Sequence, residues 1–212
     1  MKKLLFLFNP HAGKAQIKNK LLQIVDIMVK GGYDVTIYPT QAREDAFRMV
    51  YDRAAEFDRI VCSGGDGTLD EAVSGMILSG NKIPLGYLPA GSTNDFANSL
   101  KIPKDMVKAA EIAISGEPFA CDVGMFNEEP FVYVAAFGIF TAVSYKTSQE
   151  WKNILGHAAY ILEGVKSLTE ITSYRRRVEC EDAVIEDEFI YGMISNSNSV
   201  GGFKNMTGKN VL

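Results

Sequence analysis

Four short runs in this chain carry residue types that do chemistry. The first is Ser63-Gly-Gly-Asp-Gly-Thr68, directly after the apolar residues Ile60, Val61 and Cys62. Glycines let backbone amides approach an anion, and a helix starting at Thr68 would add partial positive charge. Thr68 and Glu71 have capping-box spacing, which predicts that helix start. Asp66 is the odd member. A carboxylate inside a phosphate cradle repels phosphate unless a cation lies between them, so the combination points to a metal-bridged nucleotide. The alternative is a tight turn in which Asp66 bonds its own backbone.

The second run, Gly91-Ser-Thr-Asn-Asp95, follows the apolar Leu85 to Leu88. Ser92 or Thr93 can cap a helix, and their hydroxyls suit phosphate. Asn94 and Asp95 suit a metal-bound water. With Asp66 across a crevice, Asp66 and Asp95 would share one Mg2+, held partly through water; the alternative is a capped helix start and no more. The third run is Asn9-Pro10-His11-Ala12-Gly13-Lys14, whose amides would face a nucleotide, with Asn9 bonding ribose or phosphate. His11 reads as part of that loop rather than as a base, and Lys14 as a solvated helix-start residue more than a phosphate contact. Thr40, at the end of another apolar run, is the fourth place.

Familiar nucleotide and hydrolase signatures are missing. There is no Gly-x-x-x-x-Gly-Lys-Ser/Thr, no Gly-x-Gly-x-x-Gly after the first strand and no Gly-x-Ser-x-Gly. Two histidines and three widely spaced cysteines make no zinc pattern, and the odd cysteine count fits reduced thiols in a cytoplasmic protein. A net charge of −4 argues against nucleic-acid binding, and Arg175-Arg176-Arg177 sits among acids, as on a solvated strand face. The apolar start stops at Asn9-Pro10, too early for a signal peptide, and no stretch is long enough to cross a bilayer. A lipid substrate would therefore be met at the membrane surface.

The elements that must position these runs alternate. Lys3–Phe8, Tyr33–Tyr38, Ile60–Cys62 and Leu85–Leu88 read as strands. Helices lie between them: one from Ile17 to Met28 closed by Gly31-Gly32, one capped by Thr40, one over Leu69–Leu78, and one from Pro103 to Ile114. Short buried strands alternating with amphipathic helices predict an α/β fold with a doubly wound, mostly parallel sheet. Ligands in such sheets bind beyond the carboxyl ends of the strands, where all four runs fall. After Gly116, Phe119–Phe126, Phe131–Phe137, Tyr174–Glu181 and Val184–Ser195 read as strands, with one helix near Ala158–Leu168. That predicts a second, mostly antiparallel β domain. The expected division is 1–118 and 119–212. The apolar Val211-Leu212 ending suggests an incomplete second sheet, whose open edge would invite pairing into a homodimer.

Asn9-Pro-x-Ala-Gly13, Gly64-Gly-Asp-Gly-Thr68 and Leu88-Pro-Ala-Gly-Ser-Thr-Asn-Asp-Phe-Ala97, in that order, resemble the diacylglycerol kinase catalytic-domain family of lipid kinases. Gly-Gly-Asp-Gly-Thr is shared with NAD kinases, and the third run separates the two. Asp122, Phe137-Gly138, Gly156-His-Ala-Ala-Tyr160 and Gly201-Gly202-Phe203 resemble the second domain of bacterial members. The resemblance implies phosphorylation of a lipid hydroxyl by ATP with Mg2+, in phospholipid metabolism, by a cytoplasmic protein at the inner face of the membrane. It implies that Asn9, Pro10, His11, Ala12, Gly13, Thr40, Gly64, Gly65, Asp66, Gly67, Thr68, Thr93 and Asn94 line the nucleotide. Asp66 and Asp95 would organise the metal–phosphate network as the catalytic residues. Phe137 to Val143 would wall the lipid. The family continues beyond residue 212, with an Asp-Gly metal element and a glutamate base, so this stretch alone is expected to bind nucleotide weakly and to lack full kinase activity. An NAD kinase-like phosphotransferase and a non-catalytic nucleotide- or lipid-binding module are the alternatives.

Overall fold

The computed structural model describes residues 1–139, 172–180, 183–197, 199–200 and 203–204. The first part runs β1 (Lys2–Phe8), α1 (Ile17–Lys30), β2 (Tyr33–Pro39), α2 (Asp45–Arg53), β3 (Arg59–Gly64), α3 (Asp66–Leu78), β4 (Leu85–Pro89), α4 (Asp95–Ser99) and α5 (Met106–Ser115). The strands lie in the order β2-β1-β3-β4 and every pairing is parallel. Leu4, Phe6 and Phe8 pack with Ile17, Ile24 and Met28 of α1 and Met106, Ala109 and Ala110 of α5. Leu5 and Leu7 pack with Ala46, Met49 and Val50 of α2 and Ala72 of α3. Helices therefore cover both faces of the sheet, which is why Leu4 to Phe8 is apolar without interruption. β2 is an edge strand, and Ile37 on it is 43% exposed. The chain leaves β1 toward β2 and leaves β3 toward β4. The order therefore reverses between β1 and β3, the place where such sheets open a crevice.

Three helix starts differ from the sequence expectation. α3 begins at Asp66 rather than Thr68, and its cap residue Gly65 makes no side-chain cap. Glu71 does not close a capping box with Thr68; its Oε1 accepts the Glu44 amide at 3.0 Å, where α2 begins. α2 itself starts at Asp45, well past Thr40, with Glu44 in the left-handed region. α5 starts at Met106, capped by Asp105 Oδ1, which accepts the Val107 and Lys108 amides at 2.9 and 3.1 Å. Those bonds, the Lys108 amide foremost, hold the Asp105 carboxyl below its ordinary range.

After α5 come β5 (Gly124–Phe126) and β6 (Glu129–Phe131), an antiparallel pair, then β7 (Val134–Gly138). β8 (Tyr174–Cys180) and β9 (Ala183–Phe189) form a second antiparallel hairpin, and β10 (Tyr191–Ser195) pairs with β7. Residues 119–123 are not a strand, and the expected Phe131–Phe137 and Val184–Ser195 strands each divide in two. Arg175, Arg176 and Arg177 stand opposite Glu188, Asp187 and Glu186 on an exposed hairpin. Two compact units emerge: Met1–Tyr133 with Ser195–Leu212, and Val134–Ile194. The first unit runs past residue 118 and includes the β5–β6 hairpin. That hairpin is fastened to α3, because Asp70 accepts the Val132 amide and Ser74 donates to the Pro130 carbonyl. The expected helix near Ala158–Leu168, the Gly156–Tyr160 run, Gly201-Gly202 and the expected lipid wall beyond Ile139 lie outside the described residues.

Candidate functional site

Three of the four runs meet at the carboxyl ends of β1, β3 and β4. The Asn9 amide donates to the Ser63 carbonyl at 2.9 Å, and the Ala90 amide donates to the Gly64 carbonyl at 2.8 Å. The approach is close enough that side chains are excluded. A Cβ on Gly13, whose φ is +52°, would overlap the Ala90 carbonyl. A Cβ on Gly91 would lie 2.6 Å from Gly65 Cα and 2.8 Å from Asn94 Oδ1. Glycine at these two positions is a packing requirement. Thr40 joins the same end of the sheet, since its amide donates to the Phe8 carbonyl at 2.9 Å and its side chain is buried.

Within the β1 loop, Asn9 Oδ1 accepts the His11 amide at 2.9 Å, an Asx turn. Asn9, Pro10 and Gly13 are half-buried, Ala12 is buried and His11 is exposed. After β3, Gly64 is buried, Gly65, Asp66 and Thr68 are half-buried and Gly67 is exposed in the first turn of α3. After β4, neither Ser92 nor Thr93 caps a helix. Asn94 sits left-handed before α4, its amide group folded back onto Gly91: Oδ1 accepts the Gly91 amide and Nδ2 donates to the Gly91 carbonyl, both at 2.8 Å. The buried Tyr87 hydroxyl donates to the Gly64 carbonyl at 3.1 Å and to Asn94 Oδ1 at 3.4 Å, bracing both loops. Thr93 contributes its carbonyl to Asn98 Nδ2 at 3.1 Å.

Asp66 and Asp95 come together in one place. Asp66 Oδ2 accepts the Asp95 amide at 3.0 Å and Oδ1 accepts the Phe96 amide at 3.1 Å, so the Asp66 carboxylate caps α4. Asp95 is 1% exposed, and its Oδ2 accepts the Tyr133 hydroxyl at 2.8 Å. Burial pushes the Asp66 carboxyl up. The Asp95 and Phe96 amides pull against that, and the nearby Asp95 charge adds to it. A buried carboxylate beside a second one is what a hard divalent cation relieves. No group of three His, Cys, Asp or Glu able to hold a metal occurs among the described residues.

Four contributors carry no local sequence signal. Tyr87 reads as a strand residue, Asp70 as a helix-surface residue, and Tyr133 and Ser197 lie 38 and 102 positions from Asp95. Only the fold brings the last two to it.

A doubly wound sheet with glycine loops and paired carboxylates at its switch point places the chain among the α/β proteins with helices on both faces of a parallel sheet. The family model described as diacylglycerol kinase catalytic domain matches residues 3–126. A diacylglycerol kinase of Bacillus subtilis (strain 168) is 33% identical over 208 residues, 97% of this chain and 69% of that protein. One from Staphylococcus carnosus (strain TM300) is 33% identical over 202 residues, 94% and 66% of the two chains. A crystal structure of a diacylglycerol kinase from Bacillus anthracis str. Sterne matches with TM-score 0.76 at 26% identity, covering 96% of this chain and 67% of that one. A further structure from that strain matches with TM-score 0.82 at 27% identity, covering 99% and 69%. The chain belongs to the diacylglycerol kinase catalytic-domain family, a family of lipid kinases, and spans about two thirds of the length of these relatives. No helix among the described residues is long and apolar enough to cross a membrane.

Proposed function

We propose that this site binds ATP with Mg2+ and that the protein transfers the γ-phosphoryl group to the hydroxyl of diacylglycerol or a closely related lipid, met at the inner face of the membrane. One observation carries the reading: the β1, β3 and β4 loops meet with backbone in contact, and Asp66 and Asp95 stand together beside them. In the transfer, the acceptor oxygen bonds to the γ-phosphorus, the β–γ bridging bond breaks, ADP departs with the electron pair, and the hydroxyl proton passes to solvent.

The chain's own residues supply position and charge. The amides at the start of α3 and the backbone of residues 9–13 face the phosphates, and glycine at 65 and 67 leaves the approach open. Thr40, Thr68 and Thr93 line the nucleotide with hydroxyls, while Asn94 acts by shaping the loop. Asp66 and Asp95 are the residues that would hold Mg2+. A bound Mg2+ would neutralise phosphate charge that otherwise opposes transfer.

Chemical-shift titration of the backbone amides with ATP, with and without Mg2+, tests the binding half. Saturable, Mg2+-dependent shifts clustered at 9–13, 64–68 and 91–95 are expected, and weak affinity suffices. Shifts scattered over the surface, or none, would reject the site. Transfer of labelled phosphate to diacylglycerol rather than to NAD tests the acceptor.

A further inference from the structure

One fully buried polar residue beside Asp95 comes from a segment far from it in sequence. Ser197 is fully buried. Its hydroxyl lies 2.7 Å from the Ser99 hydroxyl and 3.5 Å from the Asp95 carbonyl. Ser99 also donates to the Asp95 carbonyl at 3.1 Å. Next to it, the Asn196 amide donates to the Tyr133 carbonyl at 2.9 Å, and Asn196 Nδ2 donates to the Asp122 carbonyl at 2.6 Å. Tyr133 is anchored from the other side as well. Val132 before it is buried among Leu69, Val73 and Phe96, and the Val132 amide donates to Asp70. The Tyr133 backbone is therefore held in front and behind, and its hydroxyl is delivered to Asp95 Oδ2 at 2.8 Å.

We propose that Tyr133, braced by Asn196, is a positioning residue that fixes the Asp95 carboxylate for metal-bridged nucleotide. This rests on the reading that Asp95 serves the Mg2+–ATP complex. A phenol suits the task. It is a neutral donor near pH 7, so it locks the rotamer without cancelling the charge that a cation needs. A lysine or arginine in its place would compete with the cation. Outer donors of this kind orient the groups that face a metal.

The test is the Mg2+ concentration for half-maximal ATP-induced amide shifts in the 212-residue chain. Tyr133→Phe removes one oxygen and should raise that concentration about tenfold, the scale of outer-sphere losses. Metal-free ATP shifts should stay at wild-type values, while the thermal midpoint should fall modestly because a buried carboxylate loses a donor. 4-Aminophenylalanine at position 133 restores a donor and should restore the Mg2+ response. Should the Phe variant fail to fold, 4-methylphenylalanine fills the same space without donating and takes its place. Asp95→Asn is the reference. If it abolishes the Mg2+ response while the donor-free variants keep it, the positioning role is overturned and the site reading stands. If Asp95→Asn changes nothing, both fall.

Discussion

Asp66 reaches Asp95 through its backbone rather than through its side chain. The Asp66 carboxylate accepts the Asp95 and Phe96 amides at 3.0 and 3.1 Å, closing the start of α4 across 29 and 30 residues of chain. One carboxylate thus builds the loop that holds the other. The same helix repeats the device, since Glu71 accepts the Glu44 amide at the start of α2 and Asp70 accepts Val132 beyond β6. α3 organises its neighbours through acidic side chains that it does not need for its own cap.

Replacing Asp66 should therefore cost structure as well as chemistry. Asp66→Ala leaves two part-buried amides without an acceptor, a loss of about 1–3 kcal/mol. Asp66→Asn keeps one acceptor and should fall between. The expected order of thermal midpoints is wild type, Asn, Ala, with faster hydrogen exchange at the 95 and 96 amides. Equal midpoints would show that the cap does not matter.

Gly91 and Gly67 should respond differently to alanine. A Cβ at Gly91 meets Gly65 and Asn94, so Gly91→Ala should destabilise by about 1–3 kcal/mol, the scale of overpacking. A Cβ at Gly67 has open space around it, in the exposed first turn of α3. Gly67→Ala should keep the melting temperature and, on the proposed reading, still weaken ATP binding, because its methyl group would stand where the phosphates are proposed to lie. Unchanged ATP shifts in that variant would remove α3 from the nucleotide site.

Asp70 should make stability depend on pH. Burial, helped by Glu129, raises its carboxyl above the ordinary value against the pull of the Val132 amide. A carboxyl raised in the fold contributes fully below its unfolded value, and that contribution is lost as pH rises through the folded one. Asp70→Asn keeps an acceptor for Val132 and does not titrate. Its melting temperature relative to wild type should climb as pH goes from acid to mildly basic. A flat difference would contradict the shift.

Ser63 is fully buried on β3, opposite Phe8 and Leu88, and its hydroxyl finds no hydrogen-bond partner among the described residues. A buried hydroxyl without a partner costs about 1–3 kcal/mol. Ser63→Ala should raise the melting temperature by a few degrees, at roughly 2–4 °C per kcal/mol for a chain of this size. A lower midpoint would mean that the hydroxyl is satisfied in solution.

Strand and helix alternation, the parallel sheet and the meeting of the β1, β3 and β4 loops follow from local signals. Apolar runs such as Leu4–Phe8 leave a residue no stable place except between two covered faces. Glycine at 13, 65 and 91 marks where backbones must touch. Asp66 and Asp95 could be paired from sequence because each lies in a glycine-containing turn after a buried strand. Only the tertiary structure decided what caps α2 and α4. Thr68 and Glu71 had the spacing of a capping box, and Ser92 and Thr93 the chemistry of caps. Yet amides of α2 and α4 compete for the same acceptors, and packing brought Glu71 and Asp66 to them first. Tyr133, Asn196 and Ser197 lay beyond sequence reasoning for the same reason. A hydrogen bond across 38 or 102 residues depends on where the chain returns, and no residue announces that by its neighbours.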